Sequence, residues 1–339
     1  MKKNRMDHSS KKRIKKFLQR YVIDTLSFMA LGLFASLIIG LILRTAGEQF
    51  QLDILISMGQ LAIDLMGPAI GVAIAYGLKS PPLAIFASAI AGAAGASSGG
   101  PAGALVASVI AAEAGRIISG KTRIDIILVP LATIAAGYLS SQLVGVYINE
   151  AMLSFGELVN WSVGRHPLIM GILVASLMGI ALTAPISSAA IAIMIGLDGL
   201  AAGAATVGCS AQMVGFAVSS FRENGWSGVL SQGIGTSMLQ IANAVKNPLI
   251  LLPPITASVL LAPLATMFFL MENTPEGAGM GTSGFVGQIF TFSTMGFDAQ
   301  TAISVLILHV VGPALICWIV SEMMRKKAWI TFGDMKIQT

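Results

Sequence analysis

The chain has 339 residues, of which 55% are hydrophobic and 11% charged, with a mean hydropathy of +0.81. Soluble domains carry roughly a quarter charged residues, so this composition excludes a soluble fold. At roughly 20 residues per crossing the length admits on the order of ten membrane segments in one large membrane domain, with no appended soluble enzyme.

The formal charge of +5 does not point to nucleic acid, because the basic residues gather at the ends: Lys2, Lys3, Arg5, Lys11, Lys12, Arg13, Lys15, Lys16 and Arg20, then Arg325, Lys326 and Lys327. Runs of this kind beside apolar helices act as cytoplasmic anchors. The first run is expected to stay in the mature protein, since no small-residue cleavage site follows its apolar stretch. Cys209 and Cys317 both stand in apolar segments, which gives no disulfide framework and no zinc motif. No metal and no cofactor is expected.

In chain order, residues 1–20 read as a basic cytoplasmic arm. Leu26–Leu43 crosses outward and ends at Arg44, Glu48 and Asp53. Ile54–Gly77 returns to Lys79, interrupted at Asp64 and at Gly67–Pro68. The small-residue segments Leu83–Ser98 and Ala102–Ser119 flank a break at Ser98–Pro101 and are expected to be buried among other helices. Ile124–Ile148 crosses outward with Pro130 as a kink, Met152–Gly164 reads as a short interfacial helix, and Leu168–Leu182 crosses again.

Beyond Thr183 the pattern roughens. Apolar segments are expected near Ile186–Leu197, Leu200–Ser220, Val229–Val245, Leu249–Met271 and Ala302–Val320, and both termini are placed in the cytoplasm. The Gly-rich stretch Glu272–Gly296 is too polar for a lipid-facing span and long for a connector. Non-helical backbone is tolerated at membrane depth where it lines a cavity or packs in protein, so a re-entrant hairpin or an unwound helix is expected there. Gly67-Pro68-Ala69-Ile70 and Ala184-Pro185-Ile186-Ser187 suggest a weak repeat of 60–140 in 177–262. The single membrane domain is expected over 21–322, followed by a cytoplasmic tail, 323–339.

Polar groups in apolar segments are costly, so they line cavities or pair with one another. Glu272, Asn273, Thr274 and Glu276 stand where an apolar helix meets the Gly-rich stretch, close to Thr282, Ser283 and Gln288. Carboxylates with amides and hydroxyls hold sugar hydroxyls, and a carboxylate also serves as a base, which makes Glu272 and Glu276 the candidate catalytic pair. Helix capping by Thr274-Pro275-Glu276 is the structural alternative. Gln240 and Asn243, three apart on one helical face, are candidate solute contacts or interhelical hydrogen bonders. Asp64 and Ser187 belong with the two broken helices. Glu113 with Arg116 reads as a structural i, i+3 pair, and His309 as a lone histidine that either relays protons or satisfies a neighbouring carbonyl.

The segments Thr183-Ala184-Pro185-Ile186-Ser187-Ser188-Ala189-Ala190, Asn247-Pro248-Leu249-Ile250-Leu251-Leu252-Pro253-Pro254-Ile255 and Met280-Gly281-Thr282-Ser283-Gly284-Phe285-Val286-Gly287-Gln288 resemble the stand-alone IIC-like membrane proteins of the bacterial phosphotransferase system, including the perfringolysin-regulator group. The resemblance covers nearly all of the chain after the basic arm. It implies an all-α polytopic membrane protein with about ten transmembrane helices and re-entrant hairpins. It also implies a bacterial inner-membrane location, a homodimer, a sugar as solute, and a separate IIB partner that supplies the phosphoryl group. Glucose-type members contact the sugar through a Glu in a Gly-Ile-Thr-Glu-Pro-like hairpin, of which Glu272–Glu276 is a loose echo. A phosphorylation-independent small-solute transporter and a membrane solute sensor are the competing expectations.

Overall fold

The computed structural model describes Ile14 and residues 16–337, so most of the expected basic arm lies outside the described residues. Among those residues the regular structure is helical, with one isolated antiparallel bridge between Gly199 and Asn273. The chain packs as two compact units, Met1–Leu33 with Met66–Gly145, and Phe34–Leu65 with Val146–Thr339.

By length and composition six described helices are apolar enough to cross a membrane, α1 (Lys16–Phe50), α4 (Pro82–Ile118), α5 (Asp125–Val163), α8 (Gly199–Ser219), α11 (Pro248–Met267) and α14 (Ala299–Lys326), of which α4 is interrupted at Gly99 and Gly100. A seventh results if α2 (Asp53–Asp64) and α3 (Met66–Gly77) count as one span bent by 51°. The bend falls where expected, because Pro68 has no N–H to give the Asp64 carbonyl and its ring crowds that turn.

In the first unit α4 is a hairpin rather than one long rod. Gly99 and Gly100 leave helical geometry, Gly100 with φ +57°, at the break read from Ser98–Pro101. The two arms pack antiparallel: a Cβ on Gly103 would lie 2.1 Å from the Gly95 carbonyl oxygen, and one on Gly115 would lie 2.6 Å from the Ala84 Cβ. Contact this close explains why the arms are built of Gly, Ala and Ser. Across their mouth Arg20 reaches Glu113 at 3.1 Å and the Leu78 carbonyl at 2.9 Å, while Arg116 holds the other carboxylate oxygen of Glu113. The expected structural pair is thus a triad.

α5 runs 39 residues without a break, so the crossing and the expected interfacial helix are one element. No Gly-Pro or Pro-Gly step separates Ile148 from Met152, and Asn149 and Glu150 are tolerated inside a helix.

The second unit is built around α8, 94% of whose apolar window is buried. α6 (Pro167–Thr183) packs on it so closely that a Cβ at Gly208 would overlap the Ala175 carbonyl. α7 (Ser188–Met194) is a short helix capped by Ser187, whose Oγ accepts from Ala190 N at 3.1 Å. The expected crossing Val229–Val245 does not form. That region breaks into α9 (Phe221–Leu230), which contains Gly225 at φ +56°, a π-helical turn at Ser231–Gly235, a 3-10 turn at Ser237–Gln240, and α10 (Ile241–Lys246). Gly225, Gly228, Gly233 and Gly235 supply weak helix propensity, and Gln232, Thr236, Ser237 and Gln240 compete for the backbone or pair with one another.

The Gly-rich stretch folds as a hairpin along α8. Asn273 exchanges backbone hydrogen bonds with Gly199 at the start of α8, at 3.1 and 3.2 Å. α12 (Pro275–Ala278) follows, and Gly281, at φ +54°, lies against the Cys209–Ser210 backbone halfway along α8. α13 (Val286–Met295) then returns, with Gly287 against Thr206. At the tip, the Thr282 hydroxyl donates to the Gly233 carbonyl in the other interrupted segment.

Candidate functional site

A cleft of about 450 Å³ opens in the second unit between two helical faces. One face is the end of α1, where Leu41, Arg44, Thr45, Glu48 and Gln49 recur at helical spacing. The other is α13, where Val286, Ile289, Phe290 and Ser293 do the same, with Glu276 and Met280 arriving from the hairpin and Ile193 from α7. α1 is held in place by α2, against which Gly40 and Gly47 pack backbone to backbone. α7 is tied to the hairpin by the Ser188 hydroxyl, which donates to the Gly279 carbonyl at 2.6 Å.

The polar groups of the cleft are ordered from one side. Arg44 donates from Nε to Glu48 at 2.8 Å and from its terminal nitrogen to the Gln60 oxygen at 3.1 Å. Gln60 in turn donates to Asp64 at 2.7 Å, so Asp64 is joined to the cleft through Gln60. Glu276 is exposed and makes no ion pair among the described residues. Beside these groups Leu41, Ile289 and Phe290 are apolar. A ring with hydroxyls at its edge and C–H bonds on its face meets both kinds of surface, and the volume lies within the usual range for small-molecule pockets.

The remaining residues singled out from the sequence are placed elsewhere. Glu272 is exposed outside the cleft lining, with its backbone N–H 3.3 Å from the Met295 sulfur. Asn273 is fully buried and anchors the hairpin: its amide nitrogen lies 2.8 Å from Thr206 Oγ1, 3.0 Å from the Gly287 carbonyl and 3.1 Å from Thr291 Oγ1. Its oxygen accepts from Thr274 N at 2.8 Å. The hydroxyls of Thr274 and Ser283 are buried without a protein partner. Gln288 meets His309 at 3.1 Å.

Gln240 and Asn243 hold the C-terminal tail. Gln240 donates to the Met335 carbonyl at 2.8 Å and Asn243 to the Lys336 carbonyl at 2.9 Å, with Gln240 also bonded to Gln232. Asn224 completes the clamp by donating to the Met335 carbonyl and accepting from Ile337 N. The same end of the unit holds the buried pair Arg325–Glu223 at 2.9 Å.

Sequence reasoning did not assign Arg44, Thr45, Glu48, Gln49 and Ser293 to the site. The available signal was the recurrence of polar residues at 44/45 and 48/49 on one face of an otherwise apolar helix, which read only as the end of the first crossing.

A family model described as phosphotransferase system, EIIC, matches residues 23–337. No curated protein and no solved structure matches the chain.

Proposed function

The chain belongs to the phosphotransferase-system EIIC family, a family of membrane permease components, and we propose that it takes up a sugar and presents it to a phosphoryl donor carried on a separate IIB protein. The observation that carries this reading is the cleft, in which an unpaired carboxylate, Glu276, stands across from the Arg44–Glu48 pair beside an apolar wall. Glu276 orients a sugar hydroxyl and takes its proton as the phosphoryl group moves from the donor to the hydroxyl oxygen. Positioning supplies most of the catalysis in such transfers. Cys209 and Cys317 are both fully buried, which supports a donor located outside this membrane domain.

The hairpin supports transport in a second way. It brings irregular backbone halfway along α8, where its tip meets the other interrupted segment, the arrangement from which solute sites in secondary transporters are built. Within this unit Lys246, Arg325, Lys326 and Lys327 gather at the end opposite the cleft. By the positive-inside rule, that end and the C-terminus face the cytoplasm of a bacterial cell, so the cleft as described faces outward and receives the sugar, and the transfer at Glu276 follows once the site has turned to the cytoplasmic side. Two copies assemble as a homodimer.

The test is sugar uptake into proteoliposomes loaded with phosphoenolpyruvate, the general phosphotransferase proteins and a cognate IIB protein. Uptake should yield sugar phosphate, stop with Glu276→Gln and persist with Glu272→Gln. Uptake that needs no IIB protein and yields unmodified sugar would refute the phosphotransfer reading, and equal loss in both variants would refute the role given to Glu276.

A further inference from the structure

α14 departs from α-helical winding at Leu306–Val311, where the backbone takes a π-helical course. Single widened turns of this kind are frequent at functional positions, although this chain has others, at Gln19–Asp24, Phe34–Ile38 and Ser231–Gly235. His309 lies in this turn and is fully buried. Its Nδ1 stands 3.1 Å from Nε2 of Gln288 on α13, the helix whose other side lines the cleft. The two outer atoms of the pair, His309 Nε2 and Gln288 Oε1, are buried and meet no protein partner.

One hydrogen must lie between the amide and Nδ1. If the amide N–H donates, the neutral ring carries its proton on Nε2, so His309 offers a donor and the Gln288 oxygen an acceptor. If the amide is turned over, Nδ1–H donates to that oxygen, Nε2 becomes an acceptor and the amide nitrogen becomes the donor. Either arrangement leaves one donor and one acceptor. A metal cation satisfies only acceptors and a simple anion only donors. A hydroxyl satisfies both.

We propose that His309 and Gln288 form a buried hydroxyl-binding site behind the cleft wall, taking an ordered water or a hydroxyl of the solute. Leaving both outer atoms without partners in one contacting pair would add two desolvation penalties, which native interiors avoid. The solute arm rests on the permease reading above, and the water arm stands without it.

The experiment is nitrogen NMR of the full-length protein in nanodiscs with labelled histidine. The sequence holds three histidines, so His309→Phe identifies the resonance. The expected result is a neutral ring with both nitrogens hydrogen-bonded. A shift on adding millimolar glucose, mannose or N-acetylglucosamine identifies a solute hydroxyl. A ring proton that exchanges readily with heavy water and ignores all three sugars identifies a water. An outer nitrogen with the shift of an unbonded atom, slow to exchange and indifferent to sugar, overturns the proposal.

A bonded ring in protein that takes up no sugar leaves the water site standing and counts only against the permease reading.

Discussion

Replacing Asn273 with alanine tests whether this residue holds the hairpin or holds the solute. Its amide nitrogen has two hydrogens and three acceptors within 3.1 Å, so two bonds are made at full strength at a time. Two net hydrogen bonds contribute about 1–3 kcal/mol. Thr206 still donates to the Ala202 carbonyl at 2.9 Å and the Gly287 carbonyl still accepts from Thr291 at 2.8 Å, but the Thr274 N–H loses the Asn273 oxygen to which it donates at 2.8 Å. With that third bond and the small cavity left by the truncation, the expected loss is about 3–5 kcal/mol. The paired backbone bonds to Gly199 persist, so the hairpin should loosen rather than detach. Thermal unfolding in detergent, followed by tryptophan fluorescence, should show a melting temperature lower by on the order of 5 °C or more. Glu276→Gln is the control: its exposed side chain predicts a change within about 0.5 kcal/mol. An Asn273→Ala protein that melts normally but loses sugar affinity would refute the structural role and return Asn273 to the solute site.

Three further outcomes follow from other parts of the molecule. Gly103→Ala places a Cβ 2.1 Å from a backbone oxygen that cannot swing away, so the α4 hairpin should lose about 1–3 kcal/mol, measured as a lower melting temperature. Glu223→Gln leaves the Arg325 guanidinium buried without its carboxylate, at a cost of about 3–5 kcal/mol, read as a lower denaturation midpoint with the slope unchanged. Burial raises the pKa of Asp334, but hydrogen bonds from Thr331 and Asn247, with the charge of Arg325, outweigh it and hold the carboxyl below its ordinary 3.8. A depressed carboxyl adds stability above its unfolded pKa and loses it as pH falls through the folded value. The tail should therefore stay docked from neutral pH to about pH 4 and become protease-sensitive below it, with Asn247→Ala moving the onset upward.

The breaks in this fold were legible because they depend on residue types that act locally. Gly99–Gly100 opens the α4 hairpin, Pro68 bends the second span, and the glycines of 277–287 let that stretch pack against the middle of α8. Continuity was harder to read. Ile124–Ile148 and Met152–Gly164 differ in polarity but join as one helix, because a helix is stopped by backbone chemistry and not by a change in face. Val229–Val245 departs from the expected crossing for the converse reason. Its mean apolarity resembles a crossing, while its glycines and amides favour turns.

The candidate site was legible only in part, and the limit is physical. In an apolar chain each buried polar residue is conspicuous, but its cost is offset equally well by a partner inside the protein or by a solute, and local sequence does not distinguish the two. Gln240 and Asn243 illustrate this, since their partners are carbonyls more than ninety residues away in the tail. Asn273 likewise spends its amide on α8 and α13. What separates the site residues is what remains after internal partners are assigned. Glu276 stays exposed in the cleft without an ion pair, and Gln288 and His309 stay buried with one polar atom each unmet. These groups stand on the hairpin, on α13 behind the cleft wall and on the adjoining turn of α14. A solute that traded the outer carboxylate for the inner pair would need α13 to shift, with Gly284, where an added Cβ would meet its nearest neighbour only at 3.5 Å, as the place where the backbone before α13 is least tightly packed.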